Sequence, residues 1–187
     1  IAPALVGAND LLELDLDSRP VGSGDAKMYL ERFIHGEIYK VRPEVKAIVH
    51  HHAASVIPFG ASTVALRPVY HMAGFIGRGV PTFDIRDVAG DTDMLVKTPE
   101  LGAALARTLG DKPAALMRGH GAVVVGDSLP QVVGRSYYLQ MNAKLQAQAM
   151  ALGGEVTYLD AEEARKTEGF GGYERAWDLW KRNAMGK

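Results

Sequence analysis

Three consecutive histidines, His50-His51-His52, close an apolar run that contains Val45, Ile48 and Val49. β-Branched residues favour a strand, on which alternate side chains share a face. His50 and His52 therefore point one way and His51 the other. Two imidazoles about 6–7 Å apart along a strand can both turn onto one divalent cation. The plainer account is a polar strand end or the scar of an affinity tag, although a tag sits at a terminus and this run follows an apolar strand. Two histidines are an incomplete site, and further candidates lie on both sides. Glu31 and His35 are four residues apart, so one helix could aim both at a single place or carry them as a solvated pair. Gly119-His120-Gly121 strips neighbouring side chains from one imidazole between two apolar runs, where a lone histidine is otherwise a structural residue. Arg67, Tyr70 and His71 fall within five residues.

The elements that must carry these residues follow from periodicity and from turn chemistry. Leu11–Leu16 reads as a strand turned by Asp17-Ser18-Arg19-Pro20, with a short return at Val21. Gly22-Ser23-Gly24 is a loop, and Asp25 caps a helix predicted to run to about Tyr39, with Leu30, Phe33, Ile34, Ile38 and Val41 as its buried stripe. Arg42-Pro43 ends it. After the histidine strand, Pro58-Phe59-Gly60 breaks the chain, and Gly74, Gly77 and Gly79 predict a flexible segment before a strand near Val80–Phe83. Met94–Val96 reads as a strand. Thr98-Pro99-Glu100 opens a helix with Leu101, Leu105 and Leu109 on its apolar side and Gly110 at its end. Strands are expected on both sides of Gly119-His120-Gly121, followed by a long helix over Leu129–Leu152 in which Val133, Tyr137, Met141, Leu145 and Ala149 pack in the core or between subunits. Val156–Leu159 reads as a strand, Asp160–Glu163 as a capping-box start, Gly169–Gly172 as a loop and Tyr173–Met185 as a last helix bearing Trp177 and Trp180.

Bulk properties narrow the class. The 187 residues suit one domain spanning residues 1–187, and because the chain does not open on Met an N-terminal segment is expected to be missing. A net charge of −1 argues against nucleic acid as a partner. No apolar run approaches the roughly 18 residues of a membrane span. The chain has no cysteine, which suits a cytoplasmic location and restricts any metal to His and carboxylate ligands. There is no P-loop, no dinucleotide fingerprint and no Gly-Xaa-Ser-Xaa-Gly elbow. What remains is three histidines and an acid that could meet on one cation. Three neutral imidazoles leave a divalent ion with its full charge and an open position, as in catalytic rather than structural sites.

Taken together, Glu31, Arg42-Pro43, His50-Xaa-His52 and His120-Gly121 before a valine-rich strand resemble the class II aldolase/adducin family, over about Leu11 to Leu152. The resemblance implies an α/β fold, layered α/β/α with a largely antiparallel central sheet. It implies a metal held by His50, His52 and His120, with Glu31 beside it as fourth ligand or as acid/base. It also implies a homo-oligomer, a tetramer or larger, with active sites at subunit boundaries. Two departures matter. Sugar-phosphate members carry a Ser-Ser pair before the acid, and here Tyr29-Leu30 stand there; two hydroxyl donors are lost. Nor does the chain contain those members' Gly-Asn-Xaa-Ser segment. The proton-donating tyrosine of the aldolases aligns with His71.

The stretches Phe33–Tyr39, Ser55–Gly60, Leu66–Met72, Asp84–Asp87 and Met117–Gly121 are most similar to the family's decarboxylase branch, typified by 3-hydroxy-2-methylpyridine-4,5-dicarboxylate decarboxylase and dihydroxyphthalate decarboxylases. The expected activity is therefore divalent-metal-dependent decarboxylation of a hydroxylated aromatic or pyridine (di)carboxylic acid, whose ring oxygen and ortho carboxylate chelate the ion. Glu31 or His71 would protonate the ring carbon, and Arg67 would bind a second carboxylate or else form a surface ion pair. The metal is expected to be Zn²⁺ or Mn²⁺, with Fe²⁺ and Co²⁺ also suited. The alternatives are an aldolase or epimerase acting on a sugar or hydroxy acid, and a noncatalytic adducin-like binding protein.

Overall fold

The structure, a computed structural model, describes residues 5–22, 28–168 and 173–186. After a 3-10 turn at Ala8–Asp10, its elements in chain order are α1 (Arg32–Val41), β1 (Ala47–His51), α2 (Ile57–Gly60), a 3-10 helix (His71–Ile76), β2 (Thr82–Phe83) and α3 (Arg86–Ala89). These are followed by α4 (Pro99–Leu109), β3 (Ala114–Met117), β4 (Gly121–Gly126), α5 (Leu129–Ala151), α6 (Ala161–Glu168) and α7 (Tyr173–Ala184). The sheet has the order β1-β4-β3-β2. Its β1–β4 and β4–β3 pairs are antiparallel, and only β2–β3 is parallel.

Alternation along the strands divides the core in two. Ala115, Met117, Val123 and Val125 meet Ile34 and Ile38 of α1 and Leu105 and Leu109 of α4. Ala47, Ala114, Leu116, Ala122 and Val124 meet Leu139 and Ala143 of α5 and Phe75 and Ile76 of the 3-10 helix. The sheet is thus covered by helices on both faces, in the α/β/α layering expected. His50 has the parity of Ile48, which packs with the α1–α4 layer, so the start of α1 lies over the histidine end of β1. Among the described residues no helix is long and apolar enough to cross a membrane.

Several local expectations are corrected. Asp25 lies outside the described residues, and the first helix begins only at Arg32, with Leu30 and Val41 exposed rather than in its stripe. Leu11–Leu16 contributes a single bridge, Leu14 to Pro20. Pro58 occupies the first turn of α2 instead of breaking the chain, as its fixed φ allows. Gly74 is buried in the 3-10 helix facing Ala164 and Thr167 of α6, so close backbone packing replaces the expected flexibility. Val156–Leu159 forms no strand and makes one backbone bond, Leu159 N to Pro68 O. Met94–Val96 is a loop, with Met94 at φ 66°. In α5 the buried residues are Val132, Gly134, Leu139, Ala143 and, among polar ones, Asn142 and Gln146. A series repeating every four residues drifts by about 40° per step on a 3.6-residue helix, and Val133, Met141, Leu145 and Ala149 are half-buried with Tyr137 exposed. Gln146 and Asn142 hold the Ala65–Val69 backbone, accepting from Arg67 N and Val69 N respectively at 2.9 Å each.

Candidate metal centre

Antiparallel pairing sets His51 of β1 opposite Ala122 of β4, so the turn entering β4 lies at the histidine end of β1. The two strands approach so closely there that a Cβ on Gly121 would fall 2.2 Å from His51 O. Gly119, at φ 63°, makes the turn that projects His120. Glu31 immediately precedes α1 and makes no capping bond with its side chain, which is left to face the histidines.

Glu31, His50, His52 and His120 offer ligand atoms that all lie within 4.8 Å of one another. His52 Nε2 is 3.0 Å from His50 Nε2 and 2.9 Å from His120 Nε2, and Glu31 Oε2 is 3.4 and 3.5 Å from the His50 and His120 Nε2 atoms. The opposite edges of two rings are fixed. His50 Nδ1 lies 3.1 Å from Ala122 O and His120 Nδ1 3.0 Å from Met94 O. A carbonyl only accepts, so each Nδ1 carries a proton, and each Nε2 faces the cluster, where it offers its lone pair to a cation or shares a proton with the Glu31 carboxylate. Lone pairs facing each other at this range repel unless a cation or shared proton lies between them. Zn–N bonds of about 2.0–2.1 Å in tetrahedral array separate ligand atoms by about 3.4 Å, close to the spacings here. The donor set therefore fits a divalent ion.

The electrostatics agree. Burial pushes the Glu31 carboxyl up, but hydrogen bonds with His120, His50 and the Val96 N–H hold it well below the usual carboxylate range. The Glu31 hydrogen bond raises His120, whereas burial and the neighbouring imidazoles lower His52. His51 points to the α5 face, accepts from Ala53 N at 3.3 Å, and is pushed down to about 4 by burial. It stands outside the cluster. His35 does not join Glu31 there: its ring meets Tyr29 edge-on at 6.0 Å, and burial lowers it to about 4. Tyr29 and Leu30 are 51% and 54% exposed beside Glu31.

Arg67 and His71 are not brought into the cluster. The Arg67 guanidinium stacks 3.9 Å above the Tyr158 ring, and His71 is exposed at the start of the 3-10 helix, 6.0 Å from Tyr70. Two contributors were not anticipated. Val96 N donates to Glu31 Oε1 at 3.0 Å, and Met94 O accepts from His120. Both are main-chain groups, which side-chain identity does not announce, although the polar run Asp91-Thr92-Asp93 argues for a loop rather than a strand there.

The sequence profile described as "Class II Aldolase and Adducin N-terminal domain" matches residues 3–147. Decarboxylase tropJ of Talaromyces stipitatus is 36% identical, with 97% of this chain and 78% of that protein covered. The 3,4-dihydroxyphthalate decarboxylase of Arthrobacter keyseri is 26% identical over 95% of this chain and 73% of its own length. Among solved structures, an aldolase II superfamily protein from Pseudomonas syringae has the same fold, with a TM-score of 0.76 over 96% of this chain and 72% of that one at 22% identity.

Proposed function

Because the chain belongs to the class II aldolase and adducin family, we propose that it is a lyase that removes carbon dioxide from a hydroxylated aromatic or pyridine carboxylic or dicarboxylic acid. The observation that carries this reading is the 36% identity to a decarboxylase along nearly the whole chain. Tyr29 and Leu30 support it, because they stand exposed before Glu31 where the sugar-phosphate members of the family have serine hydroxyls.

The residues divide the work as follows. His50, His52 and His120 would hold one divalent ion, Zn²⁺ or Mn²⁺, and the substrate's ring oxygen and ortho carboxylate are the groups suited to chelate it. Such an ion supplies Lewis acidity, stabilising negative charge that develops on the substrate beside it. Decarboxylation breaks the bond between ring carbon and carboxylate, leaves the electron pair on the ring and requires a proton at that carbon. Glu31, kept ionised by its hydrogen bonds, takes the proton of the ring hydroxyl and returns it to the ring carbon; water then reprotonates the ring oxygen. The Val96 N–H fixes Oε1, so that Oε2 is the oxygen that moves the proton.

Arg67 and His71 are exposed and lie outside their own chain's cluster. We assign them to the substrate held by a second copy in a homo-oligomer, Arg67 for a second carboxylate and His71 as the donor to the water that reprotonates the ring oxygen. Mixing inactive His71→Ala chains with inactive His120→Ala chains should then restore activity, because hybrids contain intact composite sites. No recovery on mixing removes the assignment. The decarboxylase reading itself is tested by incubating Zn²⁺- or Mn²⁺-loaded protein with ortho-hydroxy aromatic and pyridine acids and following carbon dioxide. Turnover confined to hydroxy-aldehyde donors would identify an aldolase instead.

A further inference from the structure

We propose that the left-handed backbone of Met94 is a positioning device for the metal centre, holding His120 and Glu31 through one short segment, Met94–Val96. The inference rests on the metal reading above. Only Ser18 and Met94 combine a side chain with positive φ among the described residues, and Met94 has φ 66°. A methionine is disfavoured there, and such conformations persist where the surroundings over-determine them. The surroundings here are specific. Met94 N donates to Thr92 Oγ1 at 2.9 Å, Leu95 N to Asp93 Oδ1 at 3.3 Å, and Lys97 Nζ reaches Asp93 Oδ2 at 2.6 Å.

The segment so framed presents two main-chain groups to two members of the cluster that come from distant parts of the sequence. Met94 O meets His120 Nδ1 at 3.0 Å and fixes the tautomer that turns Nε2 inward. Val96 N meets Glu31 Oε1 at 3.0 Å and leaves Oε2 toward the imidazoles. The Met94 side chain closes over the turn before His120, its Cε 2.9 Å from where a Gly119 Cβ would stand. His50 takes its orientation from a strand carbonyl, Ala122 O. His50 and His52 are therefore placed by the end of β1, whereas His120 and Glu31 depend on this loop.

Three substitutions separate backbone from side chain, because all remove the thioether. Met94→Asn and Met94→Gly tolerate the left-handed region, whereas the β-branched Met94→Val does not. The first readout is the Zn²⁺ dissociation constant of the full chain by chelator competition, and the second is amide exchange at Val96 in the metal-free chain. Met94→Val should weaken Zn²⁺ binding by about 10-fold or more and speed exchange at Val96. The Asn and Gly variants should stay within about 3-fold of the unsubstituted chain. Equal loss in all three, or none in Met94→Val, overturns the proposal. Should Met94→Val fail to fold, Thr92→Ala decides: faster exchange at Val96 with an unchanged Tm supports the device, and unchanged exchange overturns it. If the unsubstituted chain binds no Zn²⁺, the metal reading fails, while Val96 exchange still reports on the segment.

Discussion

Replacing His120 with alanine is expected to weaken Zn²⁺ binding by well over about 100-fold, more than the 10–100-fold typical of losing a group that only orients a ligand. Turnover should fall to background with it. The side chain projects from a turn rather than from the core, and among the described residues its ring bonds only to Met94 O and to the cluster. The circular dichroism spectrum should therefore be unchanged, which separates loss of a ligand from loss of the fold. Removing His120 also leaves Glu31 facing His50 and His52 alone, so added imidazole should recover part of the metal content. Metal content equal to that of the unsubstituted chain would remove His120 from the site.

Glu31→Gln should give the opposite pattern. The amide oxygen can still accept from Val96 N, so local geometry is kept, and three imidazoles remain for the ion. What is lost is a carboxylate able to take and return a proton. A drop in kcat of about 10²–10⁴-fold is expected, the range for removing a general acid–base group. Metal content should stay near that of the unsubstituted chain. A variant that loses metal and activity in parallel would instead make Glu31 chiefly a ligand, and full activity would leave it no part in the chemistry.

These residues were legible in the sequence to different degrees. The pairing of His50 with His52 follows from strand alternation alone, and the apolar runs around Gly119-His120-Gly121 became β3 and β4 as read. That Glu31 and His120 come to the same place follows from the family resemblance, since no local rule joins residues so far apart in sequence. The fold class was legible for the same reason. Errors gathered where tertiary contact overrides local preference. Gly74 looks permissive in sequence but is pinned by α6, and Met94–Val96 looks like a strand because its apolar residues hide main-chain contacts with the cluster. Arg67 shows a further limit, for its stacking on Tyr158 depends on a contact between distant segments that composition does not encode.

The register of β1 on β4, from Ala47 with Gly126 to His51 with Ala122, has a kinetic consequence. The strands that unite the histidines meet only after the chain between them has closed on itself, and contacts so remote in sequence form late and slowly. A metal ion has little to grip until that closure is complete. Its binding energy should therefore act after the rate-limiting barrier to folding. Refolding rates should be the same with and without Zn²⁺, while unfolding slows as the ion is added. Refolding accelerated by Zn²⁺ would mean that the histidines assemble before the sheet does. On this account a bound ion would act as a lock on the finished protein, slowing the steps by which the chain comes apart.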